Sequence, residues 1–250
     1  MSRTEKLKKG GIILLVVLGI YGLVRLSLEL RQDRCTETVV EIDQPENQTY
    51  VTETEIKQYA TQFGSDVLEG KYIDQISLEK VEERVRNNPH VQSCEAFIDL
   101  SGQLQIKVKP YLPTARLVKE NQLGDYIDPS GRFFPPSRHF SARVLLVGGD
   151  YFVGRRSLED SSHLELLTFL NTINNDPFWS VQFTQLHIDK DQFIHIYPLI
   201  GEYMIDFGKP VDVAGKLAKL KLYYTQLLEN PEVSPQKRLD LSINNQLVIE

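Results

Sequence analysis

The chain has 250 residues, of which 41% are apolar and 25% are charged, and these values are ordinary for a packed globular protein. Its formal net charge at pH 7 is −6 and no basic stripe runs along it, which argues against a nucleic-acid-binding protein. Two cysteines are too few for a disulfide scaffold or for a zinc-ligand pattern.

One long apolar run stands near the start of the sequence, at residues 10–30. As an α-helix, 21 residues would reach about 31 Å, enough to cross a hydrocarbon core of about 30 Å. Basic residues precede the run, and positive charge favours the cytoplasmic side. We therefore expect a cytoplasmic tail at residues 1–9, a transmembrane helix at residues 10–30, and the remaining chain outside. A cleaved signal peptide is less favoured, because no A-x-A cleavage pattern follows the run.

The region after the apolar run is predicted to form a small α+β domain over residues 31–110. Thr52 and Glu55 have the spacing of a capping box at the start of a helix. Ser77 is suited to begin a second helix, and Ser101-Gly102 is a hairpin turn signal. The predicted order is strand, helix, helix, strand, strand, at Thr36–Ile42, Thr52–Phe63, Ser77–Asn88, His90–Leu100 and Leu104–Val108.

The helix pair and the stretch NPHVQSCEAFIDLSGQLQIKVKPYLPTARL, at residues 88–117, resemble a POTRA domain of the cell-division protein FtsQ (DivIB) family. In that family a helix is followed by N-P-x-V, a strand, a glycine, a strand that ends in proline, and a short A-R-apolar segment. The resemblance implies a β-α-α-β-β fold, in which two helices cover one face of a small sheet.

Residues 111–250 are predicted to form a second domain, a mixed β-sheet with covering helices. Asp128-Pro129-Ser130-Gly131 has the composition of a tight turn between two aromatic-rich strands. In FtsQ-like proteins a Y-I-D-x-x-G-x-x-x-P element likewise follows the POTRA domain. The other predicted strands cover 114–119, 144–147, Val181–Ile188, Gln192–Tyr197, Glu202–Phe207 and Arg238–Glu250, and the predicted helices are His163–Asn174 and Val213–Glu229.

No set of residues in the sequence indicates catalysis. The chain has no G-x-S-x-G elbow, no G-x-x-x-x-G-K-[ST] loop and no H-E-x-x-H helix. His187 and His195 are expected on adjacent strands, and we interpret them as hydrogen-bonded sheet histidines rather than metal ligands. Cys94 is interpreted as a small core residue and Cys35 as a second free thiol, while a disulfide between them stays open. We therefore expect no catalytic residue, no cofactor and no metal, and we interpret the protein as a non-enzyme.

The final predicted strand, Arg238–Glu250, is the best candidate for a binding surface. A strand at the end of a chain often lies at a sheet edge, where unpaired N–H and C=O groups can pair with another chain. In the FtsQ family, the last strand and the helix before it bind FtsB, together with FtsL, by strand addition. Asparagines at 244 and 245 favour a turn or bulge within this strand. The family's D-L-x-apolar pattern matches Asp240, Leu241 and Ile243, and the same alternation continues at Asn245, Leu247 and Ile249. The predicted partner contacts are Leu241, Ile243, Asn245, Leu247, Ile249 and, on the preceding helix, Tyr224.

The resemblance as a whole implies a scaffold of the bacterial divisome. Such a protein would lie in the cell inner membrane, with its N-terminus cytoplasmic and its C-terminal domains periplasmic, and would link FtsB and FtsL to septal peptidoglycan synthesis. Two alternatives stay open at this point. A membrane-anchored envelope hydrolase or transferase would need converging acid, base and nucleophile groups. A POTRA-containing outer-membrane assembly factor would need a terminal barrel of many strands, and helices between the strands argue against one.

Overall fold

A computed structural model of the protein describes residues 16–23, 34–120, 122–201, 203–229, 238–242 and 248–249. The chain divides into two compact units. The residues up to Asp43 and Val51–Lys109 form the first unit, and Gln44–Tyr50 with the residues from Pro110 onward form the second.

Residues 16–23 are the described part of the predicted membrane span. They are helical (α1), and all of them are exposed. Among the described residues, no helix combines the length and the apolar character that a membrane crossing requires. The remainder of the predicted span, residues 10–15 and 24–30, lies outside the described residues.

The first unit is an α+β domain with the predicted order of elements. Its three-stranded sheet has the order β1-β3-β2, with β1 parallel to β3. Apolar side chains of both helices and of the strands share one buried cluster, which includes Ile56, Val81, Val85 and Ile106. The elements are β1 (Thr38–Ile42), α2 (Glu53–Ala60), α3 (Leu78–Arg86), β2 (Val91–Ile98) and β3 (Leu104–Pro110).

The predicted capping box begins α2. The Thr52 hydroxyl accepts a hydrogen bond from the Glu55 backbone N–H at 3.3 Å, and the Glu55 carboxylate accepts one from the Thr52 N–H at 3.1 Å. The predicted end of this helix at Phe63 is wrong, because α2 ends at Ala60. Gln62 and Phe63 adopt positive φ angles of 49° and 56°, which the α-helical backbone does not allow.

Both cysteines are free, and both are buried in the first unit. Burial raises the pKa of the Cys94 thiol from 9.0 to about 11, because the apolar surroundings disfavour the thiolate. Cys94 therefore behaves as the core residue that the alternation of β2 predicts.

Because the pKa of Cys94 is raised, we expect the free energy of unfolding to fall at alkaline pH. Between pH 9 and pH 11 the folded protein holds a thiol proton that the unfolded chain releases, so the stabilisation present below pH 9 is lost as the pH rises. Relative to Cys94→Ala, the wild-type free energy of unfolding is expected to fall by about 2 to 3 kcal/mol from pH 8 to pH 11, since each pKa unit is worth about 1.4 kcal/mol. Denaturant titrations followed by circular dichroism at both pH values measure this difference. The prediction is contradicted if the free energy of unfolding changes equally between pH 8 and pH 11 in the wild type and in Cys94→Ala.

The second unit is built on a nine-stranded mixed sheet. The strand order is β12-β11-β10-β9-β8-β7-β4-β5-β6. The pairs β4–β7, β7–β8 and β10–β11 are parallel, and the other described pairings are antiparallel. The strands are β4 (Ala115–Lys119), β5 (Gln122–Ile127), β6 (Phe133–Phe134), β7 (Leu145–Gly148), β8 (Phe183–Ile188), β9 (Ile194–Pro198), β10 (Met204–Gly208), β11 (Arg238–Asp240) and β12 (Val248–Ile249).

Three described α-helices belong to this unit, namely α4 (Leu164–Asn175), α5 (Trp179–Gln182) and α6 (Val213–Glu229). Side chains of α4 and α6 join the strands in one buried apolar cluster, where the Phe169 and Phe207 rings lie 4.8 Å apart. The Asp128-Pro129-Ser130-Gly131 turn also forms, and the Asp128 carboxylate accepts hydrogen bonds from the backbone N–H groups of Ser130 and Arg132, both at 2.9 Å. The sheet with its covering helices is therefore the architecture that the sequence predicts.

The start of the predicted strand Val181–Ile188 is wrong. Residues Trp179–Gln182 form the short helix α5, and β8 begins at Phe183. The Asp176 carboxylate accepts hydrogen bonds from the N–H groups of Phe178 and Trp179 at 2.8 and 3.1 Å, and the buried Trp179 ring stacks on Phe183. These contacts outweigh the β-propensity of Val181.

The single final strand predicted over Arg238–Glu250 is also wrong, because two strands lie in this region. β11 pairs in parallel with β10, and β12 runs antiparallel to β11. Directly after β11, the Asp240 carboxylate accepts a hydrogen bond from the Ser242 N–H at 2.7 Å, a local side-chain-to-backbone bond that competes with strand pairing. The asparagine pair at 244 and 245 lies outside the described residues.

Candidate partner-binding edge

The candidate site is β12, which stands at one end of the sheet order. Its register with β11 places Ile249 opposite Leu239 and Val248 opposite Asp240. Among the described strands, β11 is its only neighbour, so β12 forms one edge of the sheet. An edge strand offers its outward N–H and C=O groups to another strand. The predicted edge position therefore applies to β12, whereas β11 is an internal strand.

β11 is the strand that supports this edge. Met204 of β10 lies opposite Arg238, and Asp206 lies opposite Asp240. Directly after β11, the Leu241 N–H donates to the Asp206 carbonyl at 2.8 Å. Leu239 and Leu241 are 0% and 1% exposed and belong to the core of the unit. The strand that carries β12 is thus held by both its backbone and its apolar side chains.

A buried carboxylate, Asp206, connects three neighbouring strands. It is 0% exposed, and its Oδ1 accepts a hydrogen bond from His195 Nδ1 on β9 at 2.5 Å. Its Oδ2 accepts a hydrogen bond from Nε of Arg238 on β11. Burying a carboxylate is costly unless it is paired and hydrogen-bonded, and here both oxygens have a partner. Asp206 of β10 therefore links β11 to β9 through side-chain hydrogen bonds.

The histidine pair singled out in the sequence lies next to this carboxylate. His187 and His195 face each other on β8 and β9, as predicted, with their ring centroids 6.1 Å apart. His195 is bonded to Asp206, which agrees with its interpretation as a hydrogen-bonded sheet histidine. Within the part of the chain that the structure describes, no group of three or more His, Cys, Asp or Glu residues is arranged to hold a metal ion.

The end of β10 and the start of α6 lie close to the residue Ser242, which follows β11. Gly208 has φ +76°, and a Cβ placed there would lie 2.9 Å from the Cβ of Ser242, so only glycine admits this close approach. The ammonium of Lys216 on α6 donates to the carbonyls of Phe207 and Lys209 at 2.8 and 3.0 Å. Burial lowers the pKa of this lysine, and the two carbonyls satisfy its charge.

The structure places two of the predicted contact residues in the core. Tyr224 on α6 is 9% exposed, and its hydroxyl accepts a hydrogen bond from the Tyr203 hydroxyl at 3.0 Å. Burial raises the pKa of Tyr224 well above its usual range. Leu241 is likewise buried, so both side chains have positions in the core rather than on an exposed edge. The backbone of Ile249 pairs with β11, whereas the other predicted contacts, Ile243, Asn245 and Leu247, lie outside the described residues.

Sequence reasoning missed Asp206 and Arg238 as structural determinants of this edge. A weak signal was present, since Asp206 interrupts the apolar strand MIDFG, where an unpaired carboxylate would be unfavourable. Its partners lie 11 and 32 positions away, at separations that no helical or strand periodicity relates.

Together, the two units define a protein with a POTRA-type α+β domain followed by a mixed-sheet domain that carries a strand edge. A family model for a POTRA-like domain matches residues 33–109, and one described as "FtsQ/DivIB, C-terminal related" matches residues 112–249. The chain belongs to the FtsQ/DivIB family. A search of curated proteins finds no match to this chain. Membership points to a cell-division scaffold of a kind that is generally non-catalytic, typically membrane-anchored and engaged in protein–protein interactions.

Proposed function

We propose that this protein is a non-enzymatic scaffold of the bacterial divisome. Residues 10–30 anchor it in the inner membrane, with residues 1–9 in the cytoplasm and with the POTRA domain, 31–110, and the β domain, 111–250, in the periplasm. Through the β domain it binds partners of the FtsB and FtsL type and links them to septal peptidoglycan synthesis. Family membership supports this assignment, and the position of β12 at the sheet edge is the observation that carries it.

Strand addition at β12 is the proposed mode of binding. Backbone hydrogen bonds from the outer side of β12 supply affinity, and alternating side chains set the register of the partner. The segment from Ile243 to Ile249 provides these side chains, while Leu241 and Tyr224 belong to the buried core of the same unit. Asp206, Arg238 and the core leucines fix β11, the strand with which β12 pairs, so this support needs no further ordering when a partner binds.

A charge substitution at the edge tests this function. A variant carrying Ile243→Asp and Leu247→Asp is expected to bind a co-expressed FtsB–FtsL-type complex at least tenfold more weakly, because the carboxylates must lose water in the new interface. The affinity is measured by pull-down and titration of the full chain. Matched controls are Val153→Asp and Leu199→Asp, exposed apolar residues of the same unit, which are expected to bind like the wild type. Undiminished binding by the folded double variant would remove the edge from the proposed function.

A further inference from the structure

The turn between β2 and β3 presents an apolar side chain to solvent. Leu100 is fully exposed, with 109% of its reference surface accessible. The turn is also well ordered by hydrogen bonds, since the Asp99 carboxylate accepts from the N–H groups of Ser101 and Gln103 at 2.9 and 3.0 Å and from the Ser101 hydroxyl at 2.6 Å. These bonds lower the pKa of Asp99 to about 2. The fold thus holds Leu100 in a defined position.

This turn lies beside the point where the chain enters the first unit. The Gly102 carbonyl accepts a hydrogen bond from the Thr36 N–H at 2.9 Å. A Cβ placed on Gly102 would lie 3.2 Å from the carbonyl oxygen of Arg34, so the two backbones are in close contact. The turn and the first described residues of the unit therefore form one end of the small sheet.

Arg34 is itself fixed at this end of the domain. Its guanidinium donates to the Gly70 carbonyl at 2.7 Å and to the Tyr72 hydroxyl at 2.8 Å, and it lies 4.1 Å from the centroid of the Tyr72 ring. Arginine and tyrosine are side chains that favour the headgroup region of a bilayer. An interfacial arginine, an amphipathic ring and an exposed leucine are thus found together.

The short sequence separation between the predicted membrane span and Arg34 keeps this end of the domain near the membrane. Four residue steps separate Leu30, the last residue of the predicted span, from Arg34, and such a segment reaches at most ~14 Å. This step rests on the proposed function, because it requires residues 10–30 to cross the membrane. An isolated exposed leucine is common on protein surfaces. Leu100 differs because the short segment between Leu30 and Arg34 keeps this end of the domain close to the membrane.

We propose that this end of the POTRA domain contacts the phospholipid surface of the inner membrane on its periplasmic side. Leu100 enters the boundary between headgroups and acyl chains, and the Arg34–Tyr72 pair lies at headgroup level, where the guanidinium meets lipid phosphates. The contact fixes the angle at which the first domain rises from the membrane. The partner of this surface is the bilayer and not a further protein.

Fluorescence of the full chain in lipid vesicles tests this contact. The protein has one tryptophan, the buried Trp179, so the wild type provides the background signal. Leu100→Trp is reconstituted in vesicles of phosphatidylethanolamine and phosphatidylglycerol, with and without brominated acyl chains. The matched control is Gln92→Trp, an exposed position of β2 about 20 Å along the strand from Ile98. We expect at least threefold more quenching at position 100 than at position 92.

Flotation of the same vesicles separates this inference from the proposed function. If the variants float with the vesicles and positions 100 and 92 are quenched equally, the lipid contact is refuted and the membrane anchor stands. If the chain does not float, the anchor fails and the lipid contact fails with it. Quenching confined to position 100 in floating vesicles supports both.

Discussion

Replacing Arg238 with methionine is expected to lower the free energy of unfolding of the second unit by about 3 kcal/mol. Asp206 would then remain as a buried carboxylate with His195 but without its guanidinium partner. Removing one member of a buried ion pair typically costs about 3 to 5 kcal/mol, and the half-exposed arginine places this case at the lower end. Methionine keeps the apolar stem, so the loss reports on charge rather than on packing.

The same variant is expected to weaken partner binding at the proposed edge, because β11 pairs with β12 and contacts Asp206 of β10 through Arg238. Unfolding by denaturant is followed through Trp179, which lies in the core of this unit. Partner affinity is measured at temperatures where the variant stays folded. Arg156→Met, the same change at an exposed arginine of the unit, is the matched control and is expected to cost less than about 0.5 kcal/mol.

A double variant shows whether the buried charge causes the loss. Adding Asp206→Asn to Arg238→Met removes the unpaired carboxylate and is expected to recover more than half of the stability lost in the single variant. The cycle of two single variants and one double variant isolates this interaction. A double variant as unstable as Arg238→Met alone would show that Arg238 acts through packing.

Replacing Gly149 with alanine is expected to destabilise the second unit by more than about 3 kcal/mol, an effect of the size produced by backbone strain together with a steric clash. Gly149 follows β7 with φ 112° and ψ 173°, a conformation that is essentially restricted to glycine. A Cβ at this position would lie 2.2 Å from the carbonyl oxygen of Ile188, in the strand next to β7. Relief of that clash requires β7 and β8 to separate.

Gly154 provides the control for Gly149. It also has a positive φ, 76°, but a Cβ placed there meets no atom within 4 Å. Gly154→Ala therefore measures the backbone strain alone and is expected to cost about 1 kcal/mol. Both free energies come from denaturant titrations followed by Trp179 fluorescence. Equal losses in the two variants would contradict the steric argument.

Elements whose signals are local could be predicted from the sequence. Ser77 caps α3, and Val81 and Val85 recur on its buried face, so composition and spacing identify both the start and the core side of this helix. The Asp128 turn is likewise encoded within four consecutive residues. These features need no information from the rest of the chain.

Features that depend on distant partners could not be predicted in this way. Val181 has the propensity of a strand residue, and its place in α5 follows from the hydrogen bonds that the Asp176 carboxylate accepts and from the packing of Trp179. The division of the last region into β11 and β12 depends on pairing with β10. The pairing of Asp206 with His195 and Arg238 arises only when three strands align side by side.

The parallel pairing of β10 with β11 has a consequence for when the proposed binding edge becomes available. Parallel neighbours require a crossover connection, and α6 lies within the one that joins these two strands. β11 can join the sheet only after β10 is in place, and its leucines enter a core that α6 helps to close. The proposed docking strand is thus among the last parts of the described sheet to fold. Under the proposed function, a copy that has not completed this part of the sheet would lack the edge, so partner binding would be limited to fully folded molecules.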